Sequence, residues 1–392
     1  LSIFSNDSLQ AQNDQQLIPI SIDDAVEQVV KHYPALKASQ LEVKSQQALK
    51  KTAWDFGKTS VFTGGEELNE NEGVRTLVGV QQQNIDLFSI AAKNKLQKEK
   101  IALAESNLQL SNVELKYAVK QDYGNLYAKK QLYQLYQELD STFSDFERAA
   151  KIRYETEATS RLAYLSASNQ AKKISNEKVQ AYSDYMIALQ QFNRWFIGNT
   201  LYTVSSTVEA ETLLLDLDTS LNNHPLLKME AQKVKLAEQN IKSTQSNYLP
   251  QLNLQYGVQE VGGESGFYQY QVGVNIPLFF NVEKGKVQAA KLNREIAEQR
   301  QLQTTLQLKS EYQQARQRYA KWQSAWQYYK KEALQLAKEQ RQAALLAYRE
   351  GAIDYISFLQ LVKDALLIEK EGWQTYQEYL NSQFNLEYYL TK

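Results

Sequence analysis

The sequence contains an internal repeat, and this duplication restricts the possible fold more than any single motif does. Pro34–Lys37 recurs as Pro225–Lys228, and Asn84–Phe88 recurs as Asn275–Phe279, both displaced by 191 positions. A constant displacement over that distance indicates that a whole structural unit was copied. Each kind of helix and strand in the first half is therefore expected again in the second.

A third pair of segments marks the far end of the repeat. Tyr154–Glu157 corresponds to Tyr348–Gly351 with a displacement of 194 positions, so three residues are gained between the markers. The predicted organisation has four parts: an N-terminal extension (1–19), a first repeat (20–197), a linker (198–214) and a second repeat (215–392).

Each half predicts the order helix, strand, turn, strand, very long helix, tight turn and long helix. The stretch from Lys286 to Arg349 has neither Gly nor Pro, and one α-helix over it would span about 96 Å. Apolar residues recur there at steps of four and three, the period of a coiled coil. This seam consists of Leu308, Tyr312, Ala315, Tyr319, Trp322, Trp326, Tyr329, Ala333 and Leu336.

Two segments before this helix alternate strictly between apolar and polar residues. They flank the glycine-rich turn Gly262–Gly266. Strands of about ten residues with one apolar face are typical of a transmembrane barrel hairpin, and the alternative is a soluble antiparallel sheet with one packed face. The predicted membrane-facing residues are Leu252, Leu254, Tyr256, Val258, Tyr268, Tyr270, Val272 and Val274.

The corresponding strands of the first half are less regular. Val74–Asn84 includes the polar run Gln81–Asn84, and the turn Leu68–Gly73 is acidic and rich in amides. Glutamines facing lipid are unfavourable. This hairpin is therefore expected to be short or incompletely inserted.

Composition excludes several functional classes. Lys and Arg total 44 against 45 for Asp and Glu, so there is no basic field for nucleic acid. The sequence has no Cys and two His, and each histidine is expected to be a turn residue near a proline. No constellation for catalysis, no cofactor motif and no metal site is predicted, so the protein is not expected to be an enzyme.

No segment approaches the ~18 consecutive apolar residues of a membrane-spanning helix. Leu1–Gln16 lacks the basic and then apolar layout of a signal peptide. The sequence is accordingly expected to be mature, cut from a longer chain, or not exported.

The duplicated plan resembles the TolC family of outer membrane factors. The resemblance covers nearly the whole chain and rests on Tyr248–Leu252, Asn275–Phe279 and Tyr348–Gly351. It implies a mainly α fold with a small β part, in which a homotrimer forms an α-helical barrel topped by a shared antiparallel β-barrel. It also implies an outer membrane and periplasmic location in a Gram-negative bacterium, and contact with outer membrane lipid.

In function, the resemblance implies a passive exit duct working with a periplasmic adaptor and an inner-membrane, RND-type pump. The general character is similar to the CusC/CzcC-like heavy-metal branch, and Ala48–Asp55 resembles TolC-like domains of Bacteroidetes metal pumps. Two Met, two His and no Cys indicate that the duct does not itself chelate soft metals, so the pump would select the substrate.

The resemblance also implies a gate at the turns of the helical hairpins. Ser357 and Gln360 stand where family members often have acidic pore residues, which leaves Asp354 as the nearby acid and argues against an acidic ring. Glu157 replaces a glycine of the first turn, and Arg161 is expected to pair with an acid of a neighbouring turn or to be solvated. The predicted gate residues are Tyr154, Glu157, Arg161, Tyr348, Gly351, Asp354, Ser357 and Gln360.

Two other functions stay open at this point. The polar first hairpin favours a periplasmic or cytoplasmic coiled-coil scaffold whose strands serve assembly. The absence of a recognisable signal favours a TolC-like domain of a longer pump polypeptide.

Overall fold

A computed structural model describes residues 17–69, 73–205 and 221–390. Short 3₁₀ turns aside, the elements of the first half alternate between helices and paired strands. In chain order they are β1 (Ile18–Ile20), α1 (Ile22–His32), α2 (Pro34–Ala48), β2 (Lys58–Asn69), β3 (Gly73–Ile85), α3 (Ile90–Glu155), α4 (Arg161–Asn193) and β4 (Tyr202–Val204).

The second half repeats this order from α2 onward. A π-helical turn, Tyr329–Ala333, separates two of its helices. The elements are α5 (Pro225–Gln245), β5 (Gln251–Val261), β6 (Glu264–Asn275), α6 (Asn281–Tyr328), α7 (Leu334–Arg349) and α8 (Tyr355–Tyr389).

The strands form two sheets. β1 and β4 pair in parallel as a two-stranded sheet. The other four strands form an antiparallel sheet in the order β2-β3-β5-β6, so the hairpins of the two halves are joined through β3 and β5. Within the described residues, β2 and β6 each pair on one side only.

The chain divides into two compact units, each of which draws on both halves. The sheet unit comprises Lys37–Ser111 and Asn223–Leu308, and it holds the four-stranded sheet. The hairpin unit comprises Leu1–Leu36, Asn112–Asn222 and Lys309–Lys392, and it holds the turns between α3 and α4 and between α7 and α8. The predicted boundaries of the repeats stay a prediction.

The hairpin unit is held together by a core of large apolar side chains. Phe143 and Phe358 are fully buried, and the ring of Phe146 lies 4.4 Å from that of Phe358. Residues from α3, α4, α7 and α8 all contribute to this cluster. Burying a Phe, Leu or Ile side chain stabilises a fold by about 1.5–3 kcal/mol, so this core fixes how the four helices pack.

The predicted seam is confirmed as buried at Leu308, Tyr319 and Ala333 but is wrong at Leu336, which is 62% exposed. The reason is the π-helical turn, which inserts an extra residue into the helix and rotates the following face by one position. Ala337 occupies the buried position instead. The helix expected to be uninterrupted from Lys286 to Arg349 therefore contains one irregular turn.

Several predicted features lie outside the described residues. These are positions 1–16 of the N-terminal extension, positions 206–214 of the linker and positions 70–72 of the first β-turn. Of the two histidines, His224 precedes α5, is fully buried, and accepts a hydrogen bond from the N–H of Leu226 at 3.2 Å. In the described ranges, no helix combines the length and apolarity required to cross a bilayer.

Candidate functional site

One face of the four-stranded sheet is apolar and exposed. The register aligns Val61, Val80, Tyr256 and Tyr270 as one row across all four strands. Their side chains are 46–75% exposed in the protomer. Neighbouring rows add the paired residues Val258 with Tyr268, Leu254 with Val272 and Leu252 with Val274. All eight predicted membrane-facing residues therefore lie on this apolar face.

The opposite face of the sheet is polar. Gln81 pairs with Gln255, which pairs with Gln271, so three glutamines form a row across β3, β5 and β6. Gln83 lies on the same face and donates from its side-chain amide to Gln81 at 3.0 Å. The expectation of a poorly inserted first hairpin assumed that these glutamines face lipid, and the register contradicts that assumption.

Gln82 is the one residue of the polar run on the apolar face. Its amide donates to the carbonyl of Phe56, and its side-chain oxygen accepts from the hydroxyl of Thr59. A satisfied amide is much less costly in an apolar setting than an unpaired one. The first hairpin is therefore as long as the second, although its faces are less regular, because Phe62 and Leu77 lie on the polar face.

Two glycines allow the central strands to approach closely. Gly79 and Gly257 pair across β3 and β5. A Cβ atom on Gly79 would lie 2.6 Å from the carbonyl oxygen of Tyr256, and the ring of Phe62 would lie equally close. Only a residue without a side chain fits there.

The apolar surface continues into the segment that joins β6 to α6. Leu278 and Phe279 are 77% and 89% exposed, and Ile276 and Val282 on either side are also exposed. On the equivalent segment of the first half, Phe88 is exposed as well. Exposed apolar residues in a continuous patch mark a surface that contacts lipid or another protein.

The first helical tip ends α3 in a left-handed turn. The N–H of Ala158 donates to the carbonyl of Arg153 at 2.7 Å, and the N–H of Glu157 donates to that of Tyr154 at 3.0 Å. These two bonds define a Schellman motif, which requires a residue with positive φ. Glu157 supplies it with φ of 58°, although this conformation favours glycine.

The second tip, at the end of α7, has the same geometry. The N–H of Ala352 donates to the carbonyl of Ala347 at 2.8 Å, and the N–H of Gly351 donates to that of Tyr348 at 3.1 Å. Gly351 has φ of 74°. The equivalence of Tyr154–Glu157 and Tyr348–Gly351 thus extends to their hydrogen bonds.

The returning helices also begin alike. The side chain of Ser160 caps α4 by accepting from the N–H of Ala163 at 3.2 Å, and Asp354 caps α8 by accepting from the N–H of Ser357 at 2.7 Å. The hydrogen bond from Ser357 holds the pKa of the Asp354 carboxyl below its ordinary value. Sequence reasoning missed Ser160 as a cap, although a Ser before an amphipathic helix is a recognisable signal.

An aromatic pair closes each tip. The rings of Tyr154 and Tyr164 stack at 5.7 Å, and those of Tyr348 and Phe358 stack at 5.0 Å. Beside these pairs, two apolar side chains point into solvent. They are Leu162 and Ile356, which are 77% and 72% exposed and occupy equivalent positions in the two repeats.

The remaining predicted gate residues are polar and accessible. Arg161, Ser357 and Gln360 are all exposed. Within the described residues of the protomer, no carboxylate lies within 4 Å of the Arg161 guanidinium. The two tips thus have two exposed acidic residues, Asp354 and Glu157. Arg161 is a cation four positions after Glu157 in the sequence.

A cluster of three charged residues in the hairpin unit was not anticipated from the sequence. Arg341 of α7 contacts Glu369 of α8 at 3.1 Å and Glu138 of α3 at 3.4 Å. Glu369 is 7% exposed, and its burial raises the pKa of its carboxyl, an effect that Arg341 opposes. No local pattern links three residues so distant in sequence.

The described part of the chain offers no group of three or more His, Cys, Asp and Glu side chains positioned to hold a metal ion.

Comparison with known proteins agrees with this geometry. A sequence model described as outer membrane efflux protein matches residues 217–390, which is the second half of the chain. Among curated proteins, no sequence match is found.

Solved structures share the fold over nearly the whole chain. CusC, described in connection with transmembrane channel formation, has a TM-score of 0.77 at 14% identity, covering 95% of this chain and 92% of its own. The CmeC outer membrane channel of Campylobacter jejuni has a TM-score of 0.75 at 15% identity, covering 100% and 92%. The MtrE outer membrane channel of Neisseria gonorrhoeae has a TM-score of 0.76 at 14% identity, covering 94% and 88%. The three TM-scores and identities are too similar to assign the chain to a heavy-metal branch of such channels. The heavy-metal branch therefore stays a prediction.

Proposed function

We propose that this chain is a member of the outer membrane efflux protein family, whose sequence model matches residues 217–390, and that it is a passive exit duct in which three copies enclose one channel. The duct accepts solutes from an inner-membrane pump through a periplasmic adaptor and catalyses no reaction. Its strands lie in the outer membrane, and its helices form the walls of a periplasmic tunnel.

The observation that carries this proposal is the two-faced sheet, whose two edge strands have no further partner among the described residues. Its strands have 11 to 13 residues, enough to cross the apolar layer of an outer membrane. The apolar rows suit lipid, and the glutamine row suits a water-filled interior. Open strand edges are not tolerated in hydrocarbon, so β6 of one copy must pair with β2 of the next until the barrel closes.

Three copies give a reasonable barrel. Four strands are too few to surround a channel, because a barrel of about eight strands is already filled by its own side chains. Three protomers give an even number within the range of about 8 to 26 known for bacterial barrels. In a closed ring of copies, the edge strands of each copy also pair with those of its neighbours.

The tips are proposed as the gate and as the contact with the adaptor. Leu162 and Ile356 are solvent-exposed apolar side chains at equivalent positions, and a partner helix could cover both. Because Ser357 and Gln360 are uncharged, the gate has no acidic ring at these positions and little preference for cations. Asp354 has a structural role as a helix cap.

A cysteine experiment tests the assembly directly. The chain has no Cys, so any disulfide reports only on introduced residues. Val61→Cys in β2 is combined in turn with Tyr268→Cys, Tyr270→Cys and Val272→Cys in β6. Oxidation is expected to give cross-linked dimers and trimers for at least one register.

The matched control is Val80→Cys with Tyr256→Cys, which pair within one protomer and should leave only monomers on a denaturing gel. A soluble, monomeric chain without intermolecular cross-links at any register would favour the coiled-coil scaffold.

The export role is tested in the native host. A deletion strain is compared with strains complemented by the wild-type chain or by Leu162→Asp with Ile356→Asp, for sensitivity to copper, zinc, cobalt, detergents and antibiotics. We expect the deletion to sensitise the cells to one class, and the tip variant to assemble without restoring resistance. Unchanged sensitivity in the deletion strain would contradict an export role.

A further inference from the structure

A groove of about 390 Å³ lies between α3 and α7 in the hairpin unit. Its apolar wall includes Phe146, Leu345 and Tyr348. The ring of Phe146 lies 5.3 Å from that of Tyr348, and both rings contact the fully buried Phe358, so this wall is part of the hairpin core. The volume is within the range of about 300–1,000 Å³ that is typical of small-molecule sites.

A small residue creates the space. Ala149 lines the groove on α3, one helical turn after Asp145 and one turn before Arg153. Residues four apart on a helix share a face, so these three side chains follow one line along the groove. A larger residue in the place of Ala149 would fill the middle of it.

Two cations lie at one end of the groove. Arg153 and Arg349 both line it. Within the described ranges, neither guanidinium has a carboxylate within 4 Å. Each arginine is in the last turn of its helix, where a cation is favourable. The helix dipole explains why each helix has an arginine in its last turn. It does not explain why both arginines line the same groove.

The other end is close to neutral. Asp145 lies 3.5 Å from Arg148, which offsets its charge, and Ser141 provides a hydroxyl. At 1.5 Å per residue, Asp145 and Arg153 are about 12 Å apart along the helix. The groove therefore has a positive end, an apolar middle and a weakly polar end.

We propose that this groove binds an amphiphilic organic anion. Its carboxylate or sulfonate lies between Arg153 and Arg349, and its apolar body covers Phe146, Leu345 and Tyr348. Guanidinium groups present planar pairs of N–H donors that match such an oxyanion. The site lies within one protomer and does not depend on the proposed duct function.

The test uses the full chain purified in neutral detergent micelles, with the micelles alone as the blank. The probe is 4-phenylbutyrate, titrated by calorimetry, and the neutral 4-phenylbutyramide is the comparison ligand. We expect saturable binding of the acid, and binding of the amide that is at least about ten-fold weaker, because the amide lacks the charge-assisted hydrogen bonds.

Two variants separate the parts of the site. Arg153→Gln with Arg349→Gln is expected to weaken binding of the acid about ten-fold or more and to abolish the preference over the amide. Ala149→Leu keeps both cations and should block acid and amide alike. The control is Arg318→Gln, an exposed arginine of α6 outside the groove, which should bind like the wild type.

Circular dichroism verifies that each variant retains its helices. No saturable binding to the wild-type chain would overturn the proposal, and so would equal binding by the double arginine variant. Because the readout is binding to a protomer, failure of trimer assembly or of export would not produce either result.

Discussion

The side-chain amide of Asn275 donates a hydrogen bond of 3.1 Å to the side-chain oxygen of Asn84, its own counterpart 191 positions earlier in the repeat. The N–H of Asn84 also donates to the side chain of Asn253 at 2.8 Å. Asn84 lies in a β-bulge, where Gln83 and Asn84 together face Asn253. The two copies of one motif thus meet where the sheet ends.

Asn84 has φ of 58°, and this conformation gives the first prediction. Asn84→Ala should lower the free energy of unfolding by about 1–2 kcal/mol, through the strain of a left-handed alanine and the lost hydrogen bond. Asn84→Gly loses the same bond without that strain and should cost less. Guanidinium titration in detergent micelles measures both, and equal losses would mean that the backbone conformation is not responsible.

The second prediction concerns the two faces of the sheet. Val272 lies on the apolar face and Gln271 on the polar face of the same strand. Val272→Arg should reduce folded protein in the outer membrane sharply, because arginine facing the bilayer centre costs about 2–4 kcal/mol. Gln271→Arg should assemble normally. The fraction of heat-modifiable oligomer on gels is the measurement, and similar yields for the two variants would contradict the assignment of the faces.

The third prediction concerns the residue that differs between the two helical tips. Glu157 and Gly351 occupy the same left-handed position, so Glu157→Gly should relieve strain and stabilise the hairpin unit by roughly 1 kcal/mol. Gly351→Ala should destabilise it by a similar amount. Thermal unfolding followed by circular dichroism would detect opposite shifts. If both substitutions lower the melting temperature, the side chain of Glu157 makes contacts that outweigh its backbone strain.

The fourth prediction concerns the buried pair of Arg341 and Glu369. Removing the cation in Arg341→Met leaves a buried carboxylate unpaired, which should cost about 3–5 kcal/mol at neutral pH. Burial raises the pKa of Glu369 above its ordinary value of 4.5, so the folded state binds the proton more tightly than the unfolded state. The cost is therefore present above the folded-state pKa and declines as the pH falls through it toward 4.5.

Chemical denaturation of Arg341→Met at pH 7 and at more acidic pH measures this dependence. The double variant Arg341→Met with Glu369→Gln is the control, since it carries no ionisable group at either position. Its stability relative to the wild type should recover at pH 7. A loss that is independent of pH would indicate that Arg341 acts through the packing of its aliphatic chain.

Features that depend on neighbouring residues were predictable from the sequence, and features that depend on contacts between distant segments were not. The strands Leu252–Val258 and Tyr268–Val274 were predictable because their alternation is local. The side of the sheet on which Gln81 lies depends on strand pairing and could not be read from its own segment. The exposure of Leu336 follows from a π-helical turn, and the contacts of Arg341 join residues that no short-range pattern relates.

The tips were predictable as turns because Tyr154 and Tyr348 begin equivalent segments. Their shared hydrogen bonds and caps needed coordinates, since a glutamate in a left-handed position is not a common signal. The part that these residues play in gating remains a prediction.

The apolar face of the sheet also affects the biogenesis of the protein. A newly made copy carries the row from Val61 to Tyr270 uncovered, together with two strand edges that can template unwanted pairing. On the proposed function, this face must be covered by a chaperone or by other copies before the strands reach lipid. Single substitutions on this face should therefore impair biogenesis more than they impair the assembled protein.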